Sequence, residues 1–418
     1  MGETRKELLV FCLIVFLIVP SLSQNITKTT KPSENEYQSN FIYNDQELDL
    51  LHGETYFKLI VLENISHSFN FSYAVPPIYG YQAPILIVLR NDTNTKIISY
   101  RIYNDTNFPN KIINFQIVPM RKDENATFHF DFFVLVKNKW FTNFPTYIRK
   151  PLRCQLPEET KKWLEPTNAI QSNRLRIKLR AFFLQGLSNN LLKIARQISN
   201  FTHEKIDYSG GGLQDALTTL RTKQGVCTGK ANLGTALFRA LGIPAKDLVV
   251  MPTMNSTFAM HFISEYYCSY YGWLLVETTL GWTPWQPKHD IILRINYPED
   301  ENNAGNYGGV EQWHWSDINE NVQIYMDIEN GSGSRAWVEN NIMSDPSMAN
   351  LTFNLTQDVY KMYTKYFGMD LNETNTQHYN NALFAQQNAI TCFKQSSVKG
   401  YFDNMTIAYE EYNQIHGC

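Results

Sequence analysis

Several common signatures are missing from this chain of 418 residues, and each absence argues against a class of site. The chain has six cysteines but no Cys-x-x-Cys pair, which argues against a structural zinc site. The glycine run that begins at Gly210 is not followed by Lys-Ser/Thr at the spacing of a phosphate-binding P-loop. Only 18% of residues are charged and the net charge is −3, so the composition gives no electrostatic basis for nucleic-acid binding.

The sequence has a single long apolar run, at its N-terminus. Arg5 and Lys6 precede an apolar stretch from Leu8 to Pro20, and small residues follow it. This order predicts a signal peptide over residues 1–23, cleaved before Gln24, and hence a secreted protein. The run is short for a membrane span, but if it is retained it would anchor the protein at the cell surface.

Glycosylation acceptors support export, because they belong on exposed surfaces of secreted chains. The Asn-x-Ser/Thr motif begins at Asn25, Asn64, Asn70, Asn91, Asn104, Asn125, Asn200, Asn255, Asn330, Asn350, Asn354, Asn372 and Asn404. An asparagine-rich sequence also yields such motifs by chance. Together with the signal peptide, they predict an exported glycoprotein.

The cysteines of the mature chain are odd in number. Without Cys12 they are Cys154, Cys227, Cys268, Cys392 and Cys418. An odd cysteine in an exported protein indicates a free thiol. If the free thiol is Cys227, the others form two disulfides, and we prefer the pairs Cys392–Cys418 and Cys154–Cys268, although the sequence does not fix the connectivity.

Cys227 precedes a predicted helix. Leucines recur four apart between Asn232 and Leu241, and Gly242 and Pro244 then end the helical pattern. Cys227 is therefore expected at or near the helix N-terminus. Free N–H groups and the helix dipole favour the thiolate there, which is the nucleophilic form.

Two predicted strands follow and would bring His261 close to Glu277. The segments 258–266 and 273–279 favour strands, and a turn near residues 269–272 would make them an antiparallel hairpin. A histidine can take the proton of a thiol, and a carboxylate on its other ring nitrogen fixes the tautomer. Cys227, His261 and Glu277 therefore form a candidate nucleophile, base and orienting group.

These motifs, with Gly225-Val226-Cys227 and the run 238–245, resemble the core of the transglutaminase-like superfamily of cysteine enzymes over about residues 206–285. The family typically reads Gly-x-Cys, Arg-Ala-x-Gly-Ile-Pro-Ala, His-Ala-Trp-x-Glu and Trp-x-x-x-Asp-x-Thr. This chain departs from it with Glu277 in place of aspartate and with Phe262-Ile263 in place of Ala-Trp. The peptide-N-glycanase branch usually carries paired Cys-x-x-Cys zinc ligands, which are missing here.

The resemblance implies a papain-like α+β core within a multidomain protein. The patterns of the flanking segments predict an N-terminal antiparallel β-sandwich and a C-terminal helical region. The predicted segments are a signal peptide at 1–23, a flexible lead-in at 24–50, the β-sandwich domain at 51–150, the transglutaminase-like core at 151–295, a loop-rich extension at 296–355 and a helical hairpin region at 356–418. Trp282, Trp285, Trp313 and Trp315 are expected either to line a substrate groove or to pack in the core.

The implied activity is acyl transfer from a protein or peptide amide through a thioester on Cys227. His261 would shuttle the proton and Glu277 would orient it. Hydrolysis is favoured over cross-linking, and the alternative is an inactive surface protein with a binding or structural role. No cofactor is expected. A calcium site at Glu299, Asp300 and Glu301 is conceivable, since some transglutaminases depend on calcium, but the EF-hand spacing is absent. The sequence does not indicate an oligomeric state.

Overall fold

The computed structural model describes residues 43–44, 47–90, 96–137, 140–141, 145–210, 212–254, 260–303, 313–316, 324–326 and 333–416. The predicted signal peptide and Cys418 lie outside these ranges. None of the helices within them combines the length and apolar character needed to cross a bilayer. The fold is mixed α/β, with antiparallel sheets, a helical layer on one of them and a C-terminal helical region.

Fifteen strands are described, numbered here in chain order. They are β1 (Tyr43–Asn44), β2 (Glu47–Val61), β3 (Phe69–Val75), β4 (Gln82–Leu89), β5 (Ile97–Asn104), β6 (Lys111–Ile117), β7 (Asn125–Lys137), β8 (Trp140–Phe141), β9 (Ala245–Pro252), β10 (His261–Cys268), β11 (Gly272–Val276), β12 (Asp290–Ile295), β13 (Trp313–Ser316), β14 (Ile324–Met326) and β15 (Gly333–Met343).

The described α-helices are also numbered in chain order. They are α1 (Glu158–Lys161), α2 (Leu175–Gln185), α3 (Leu191–Lys205), α4 (Ala216–Thr222), α5 (Cys227–Ala240), α6 (Pro298–Asn302), α7 (Pro346–Tyr366), α8 (Glu373–Lys394) and α9 (Val398–Asn413).

Two antiparallel sheets share one aromatic core. The first has the order β14-β2-β7-β4, with β15 also paired to β2, and the second has the order β13-β3-β6-β5. On β7, Phe128 and Phe130 are fully buried, and they share one face of the strand because they lie two residues apart. The ring of Phe128 lies 4.8 Å from that of Phe71 and 4.9 Å from that of Phe115, both on the second sheet. The two sheets therefore bury their apolar faces against each other.

The segment predicted to be loop-rich, 296–355, contributes ordered elements in its described parts. Strand β13 pairs with β3 at the edge of the second sheet, and β14 pairs with β2 at the edge of the first. Strand β15 pairs along most of β2. Helix α7 begins at Pro346, where the side chain of Asp345 caps it. Helices α7, α8 and α9 follow one another, and Tyr363 of α7 donates a hydrogen bond to the carbonyl of Ile87 at 2.7 Å. The C-terminal helices thus pack on the first sheet.

A third antiparallel sheet, of order β11-β10-β9-β12, carries the motif residues. Helix α5 packs on it through buried residues that include Leu233 and Phe238, and the Phe238 ring stacks on Tyr266 at 5.0 Å. The predicted end of this helix is confirmed. It ends at Ala240, and Gly242 has a φ of +74°, which favours glycine.

Side-chain amides attach the third sheet to the two aromatic sheets. Gln82 accepts from the N–H of Ile292 at 2.8 Å and donates to its carbonyl at 2.9 Å. Asn110 makes the same pair of bonds to Ile295, at 2.9 and 2.8 Å. Each amide therefore satisfies both backbone hydrogen-bonding groups of one residue of β12, the edge strand of this sheet.

The predicted Cys154–Cys268 disulfide is wrong, because both thiols are free. Cys154 is exposed in a short 3-10 helix, whereas Cys268 is fully buried at the end of β10. A solvent-facing and a core-facing side chain cannot meet at bonding distance. The pair Cys392–Cys418 stays a prediction, since Cys418 lies outside the described residues.

Candidate active site

Cys227 is the first residue of α5, as the sequence predicts, and the loop before it is held in place. The side chain of Gln214 accepts a hydrogen bond from the N–H of Val226 at 2.9 Å. A Cβ at Gly229 would lie 2.5 Å from that same amide oxygen, so only glycine allows this close approach. The helix N-terminus is therefore fixed, with Cys227 9% exposed.

The surroundings of Cys227 favour its thiolate. Burial raises the pKa of the thiol, but the hydrogen bond and charge of His261 oppose this, together with the N–H groups of Phe262 and Thr228. The net result is a pKa below the usual thiol value. Both N–H groups donate toward the sulfur, so the negative charge is stabilised from the helix and from β10.

His261 and Glu277 lie at the same end of the β10–β11 hairpin. The register pairs Ser264 with Val276, so Glu277 follows directly on the last paired residue of β11. The Nε2 atom of His261 lies 2.6 Å from an Oε atom of Glu277. The other Oε atom accepts from the N–H of Thr279 at 2.7 Å. The longer side chain of glutamate is therefore held at both oxygens.

His261 interacts with Cys227 as well as with Glu277. Burial lowers the pKa of His261, but the hydrogen bonds and charges of Cys227 and Glu277 outweigh it and raise the pKa. The two pKa shifts have opposite directions because each group favours the charged form of the other. The structure thus brings together the three residues that the sequence singled out.

Tyr208 also contacts the thiol, and no motif in the sequence assigns it a role. Burial raises the pKa of its hydroxyl, as do the charge of Cys227 and a side-chain hydrogen bond to the Cys227 sulfur. The hydroxyl also contacts the backbone N–H of Cys227. Tyr208 lies before α5, near the start of the segment 206–285 that resembles the family.

A second carboxylate, that of Asp290, interacts with the charge of His261. No motif in the sequence predicts it. It accepts a hydrogen bond from the indole N–H of Trp285 and is nearly inaccessible to solvent. Burial raises its pKa to about 7, against the lowering influence of His261 and Trp285. Asp290 is a polar residue at the start of an apolar strand, and this pattern does not predict a carboxylate near His261.

The tryptophans after Glu277 divide between the two predicted roles. Trp282 is 51% exposed and lies 5.3 Å from Trp285, which is buried. Together they contribute to a cavity of about 410 Å³ that is also lined by Arg196, Asn200, Gln286 and His289. The backbone of Trp282 pairs with that of Glu277, so this cavity adjoins the turn that carries the carboxylate. Trp313 and Trp315 belong to β13.

Two of the three carboxylates of the conceivable calcium site, those of Asp300 and Glu301, bind protein groups. Glu301 is buried and forms a two-pronged ion pair with Arg239, at 2.6 and 2.8 Å. Asp300 accepts from Arg294 at 3.0 Å and from Asn107 at 3.2 Å. Within the described residues, no group of three His, Cys, Asp or Glu side chains could hold a metal ion.

Comparisons with known proteins identify the family of this segment and the fold. The family model of the transglutaminase-like superfamily matches residues 180–278, so this segment is a transglutaminase-like domain. A candidate cysteine protease from Cytophaga hutchinsonii shares the fold, with 14% identity, a TM-score of 0.50, and coverage of 71% of this chain and 99% of that chain. The periplasmic domain of TgpA from Pseudomonas aeruginosa is 14% identical and covers 56% of this chain and 92% of that chain, with a TM-score of only 0.28. No curated protein matches the sequence.

Proposed function

We propose that the transglutaminase-like domain makes this protein an exported cysteine enzyme that hydrolyses amide bonds of proteins or peptides. The observation that carries the proposal is the 2.6 Å contact of Glu277 with His261, whose charge also interacts with Cys227 at the start of α5. Such an arrangement supplies a nucleophile, a proton carrier and an orienting carboxylate. The predicted signal peptide supports export.

In the proposed reaction the thiolate of Cys227 attacks the amide carbon, and the carbonyl oxygen gains the negative charge. The N–H of Cys227 and the hydroxyl of Tyr208 are our candidates for the two groups that stabilise this oxyanion. The Nδ1–H of His261 protonates the leaving amine, which leaves a thioester. His261 then takes a proton from water, the hydroxide attacks the thioester, and the acid leaves as the thiol is restored.

We favour water over an amine as the second substrate. The structural relative from Cytophaga hutchinsonii is named a candidate cysteine protease, which supports hydrolysis. An amine acceptor would give cross-linking from the same thioester, since the two reactions share every step before it. The acceptor must therefore be identified by experiment.

One experiment compares the two products on the full chain. Denatured casein and a mixed peptide library would be incubated with the enzyme, both with and without a fluorescent primary amine. New amino termini without incorporated amine support hydrolysis. Incorporation of the amine into glutamine side chains would instead establish cross-linking and overturn the hydrolytic proposal.

Two matched variants make this experiment specific. Cys227→Ala should abolish product, whereas Cys268→Ala removes another buried thiol, at the far end of β10, and should keep the activity. If wild type and Cys227→Ala give no product alike, and Cys227 resists alkylation in the folded protein, the inactive binding role is correct.

A further inference from the structure

Helix α2 has an apolar face that points away from the protein. Ile177 and Ala181 are fully buried on its inner side. On the outer side, Leu175 is 64%, Phe182 55% and Phe183 66% exposed. A surface helix of a soluble protein normally has a single apolar stripe, directed at the core. Helix α2 therefore has a second apolar stripe that the described chain leaves uncovered.

Basic residues border this outer stripe on both sides. At 100° per residue, Arg174 and Lys178 fall on one side of it, and Arg176 and Arg180 fall on the other. All four side chains are exposed. The sequence from 166 to 203 contains no aspartate or glutamate. This segment of the sequence therefore carries positive charge and no negative charge.

A neighbouring segment extends the same surface. The N–H of Lys150 donates to the carbonyl of Asn189 at 2.8 Å, which places residues 145–156 beside the end of α2. Leu187, after the helix, is fully exposed, and Tyr147 of the neighbouring segment is 58% exposed. Residues 145–157 also lack acidic side chains. We call the outer surface formed by Leu175, Phe182, Phe183 and Leu187 the α2 face.

The α2 face is free of predicted glycosylation sites. The acceptor motif occurs thirteen times in the chain, yet none begins between Asn125 and Asn200. A glycan on α2 would prevent close contact with any flat surface. The gap in the motifs therefore coincides with the exposed apolar stripe.

We propose that the α2 face docks this protein on the surface of an anionic lipid bilayer. The phenylalanine and leucine side chains would enter the boundary between headgroups and acyl chains, and the flanking arginine and lysine side chains would bind lipid phosphates. The pattern of an apolar stripe with basic borders is typical of helices that lie in the plane of a membrane. A second copy of the chain fits poorly, because it would oppose two surfaces of the same charge.

Docking would also orient the active site. Ile177, on the inner side of α2, belongs to the same apolar core as Leu233 and Leu237 of the cysteine helix α5. The rigid contact between the two helices would hold Cys227 at a constant distance from the bilayer. The inference does not depend on the activity of Cys227, which is measured separately.

The test is co-sedimentation of the full-length protein with lipid vesicles. One set is phosphatidylcholine alone, and the other contains one quarter phosphatidylglycerol. We expect at least about tenfold tighter binding to the anionic set, weakened by added salt. Protein that stays in solution with both sets would overturn the proposal, as would equal binding to both.

Three variants assign the binding to the α2 face. Phe182→Ser with Phe183→Ser should lower vesicle affinity about tenfold, and Arg174, Arg176, Lys178 and Arg180 changed together to Gln should do the same. The control, Phe384→Ser on α8, alters a side chain of similar exposure, 65%, and should bind as wild type. Equal loss in the control would contradict the proposal.

Two further measurements distinguish membrane docking from misfolding and from a polypeptide partner. The substituted side chains face outward, so each variant should fold. Thermal unfolding and alkylation of Cys227 check that it does. If wild type ignores anionic vesicles but binds polyglutamate, and the variants lose that binding, the partner is an acidic polypeptide and the membrane proposal is wrong.

Discussion

His261 and Glu277 face each other at the open end of a hairpin, with 2.6 Å between Nε2 and the nearer carboxylate oxygen. The family pattern has aspartate at this position, so the longer glutamate needs a different support. The second oxygen of Glu277 accepts hydrogen bonds from the N–H groups of Thr279 and Leu280, at 2.7 and 3.3 Å. The turn after β11 thus holds the Glu277 side chain in place, and Glu277 in turn orients His261.

Removal of the charge of Glu277 should therefore affect catalysis more than folding. Glu277→Gln keeps the size but no longer supports the imidazolium, so kcat/KM should fall by about 10²- to 10⁴-fold. Glu277→Asp cannot reach both His261 and the turn, and should have intermediate activity. Steady-state kinetics and thermal unfolding of the two variants are the measurements. Equal activity of the Glu277→Gln variant and the wild type would show that the carboxylate has no part in catalysis.

The thiol should react at a pH below that of an ordinary cysteine. The lowered pKa of Cys227 means that thiolate persists as the pH falls through the usual thiol value of about 8.5. The raised pKa of His261 keeps the imidazolium charged over the same range. Rates of iodoacetamide labelling, measured between about pH 5 and pH 9, should extend to the acid side in wild type.

The His261→Ala variant is the matching control for this pH profile. It removes the hydrogen bond and the charge that lower the thiol pKa, and leaves the burial that raises it. The labelling profile should therefore move to higher pH. If it is unchanged, His261 does not activate the thiol.

Tyr208→Phe tests the second oxyanion group. The hydroxyl contacts both the sulfur and the N–H of Cys227. Loss of one such donor costs about 10²- to 10³-fold in kcat, with little change in KM, because the interaction forms only in the transition state. A rise in KM at constant kcat would instead indicate that Tyr208 binds substrate. An increase in kcat would show that its hydroxyl blocks the site.

Gly234→Ala should disturb the active site from behind. A Cβ at Gly234 would lie 2.7 Å from the methyl group of Thr278, the residue that follows Glu277. Overpacking of this kind destabilises by about 1–3 kcal/mol and would displace the turn that holds the carboxylate. Urea unfolding and kcat/KM measure the two effects. The double variant with Thr278→Ser removes the methyl group and should recover most of the stability and of kcat/KM. If it recovers neither, the clash with this methyl group is not the cause.

Glu301→Gln should destabilise the fold by about 3–5 kcal/mol, because it leaves the Arg239 guanidinium buried without its charged partner. Denaturant unfolding gives the change in free energy. Since Glu301 already binds Arg239, added calcium should not change the melting temperature of the wild type. A calcium-dependent rise that disappears in Glu301→Gln would contradict this.

Much of the site could be predicted from the sequence, because its determinants are local. The helix that starts at Cys227 follows from leucines four apart and from Gly242, and the hairpin follows from two apolar runs around a turn. These features fix which backbone N–H groups and which strand ends meet. The spacing therefore predicts Cys227, His261 and Glu277 as neighbours.

The remaining features depend on contacts between distant segments, which no local pattern encodes. Tyr208 reaches the thiol, and Asp290 lies behind His261, only because separate elements pack around the third sheet. Strand β15 completes a sheet with β2, nearly 300 residues earlier in the chain, so its local sequence alone predicts a loop. The sequence by itself determined that Cys227, His261 and Glu277 are neighbours, since helix periodicity and turn chemistry act over a few residues. Only the tertiary structure decided which buried groups surround them, because burial and desolvation are properties of the packed chain.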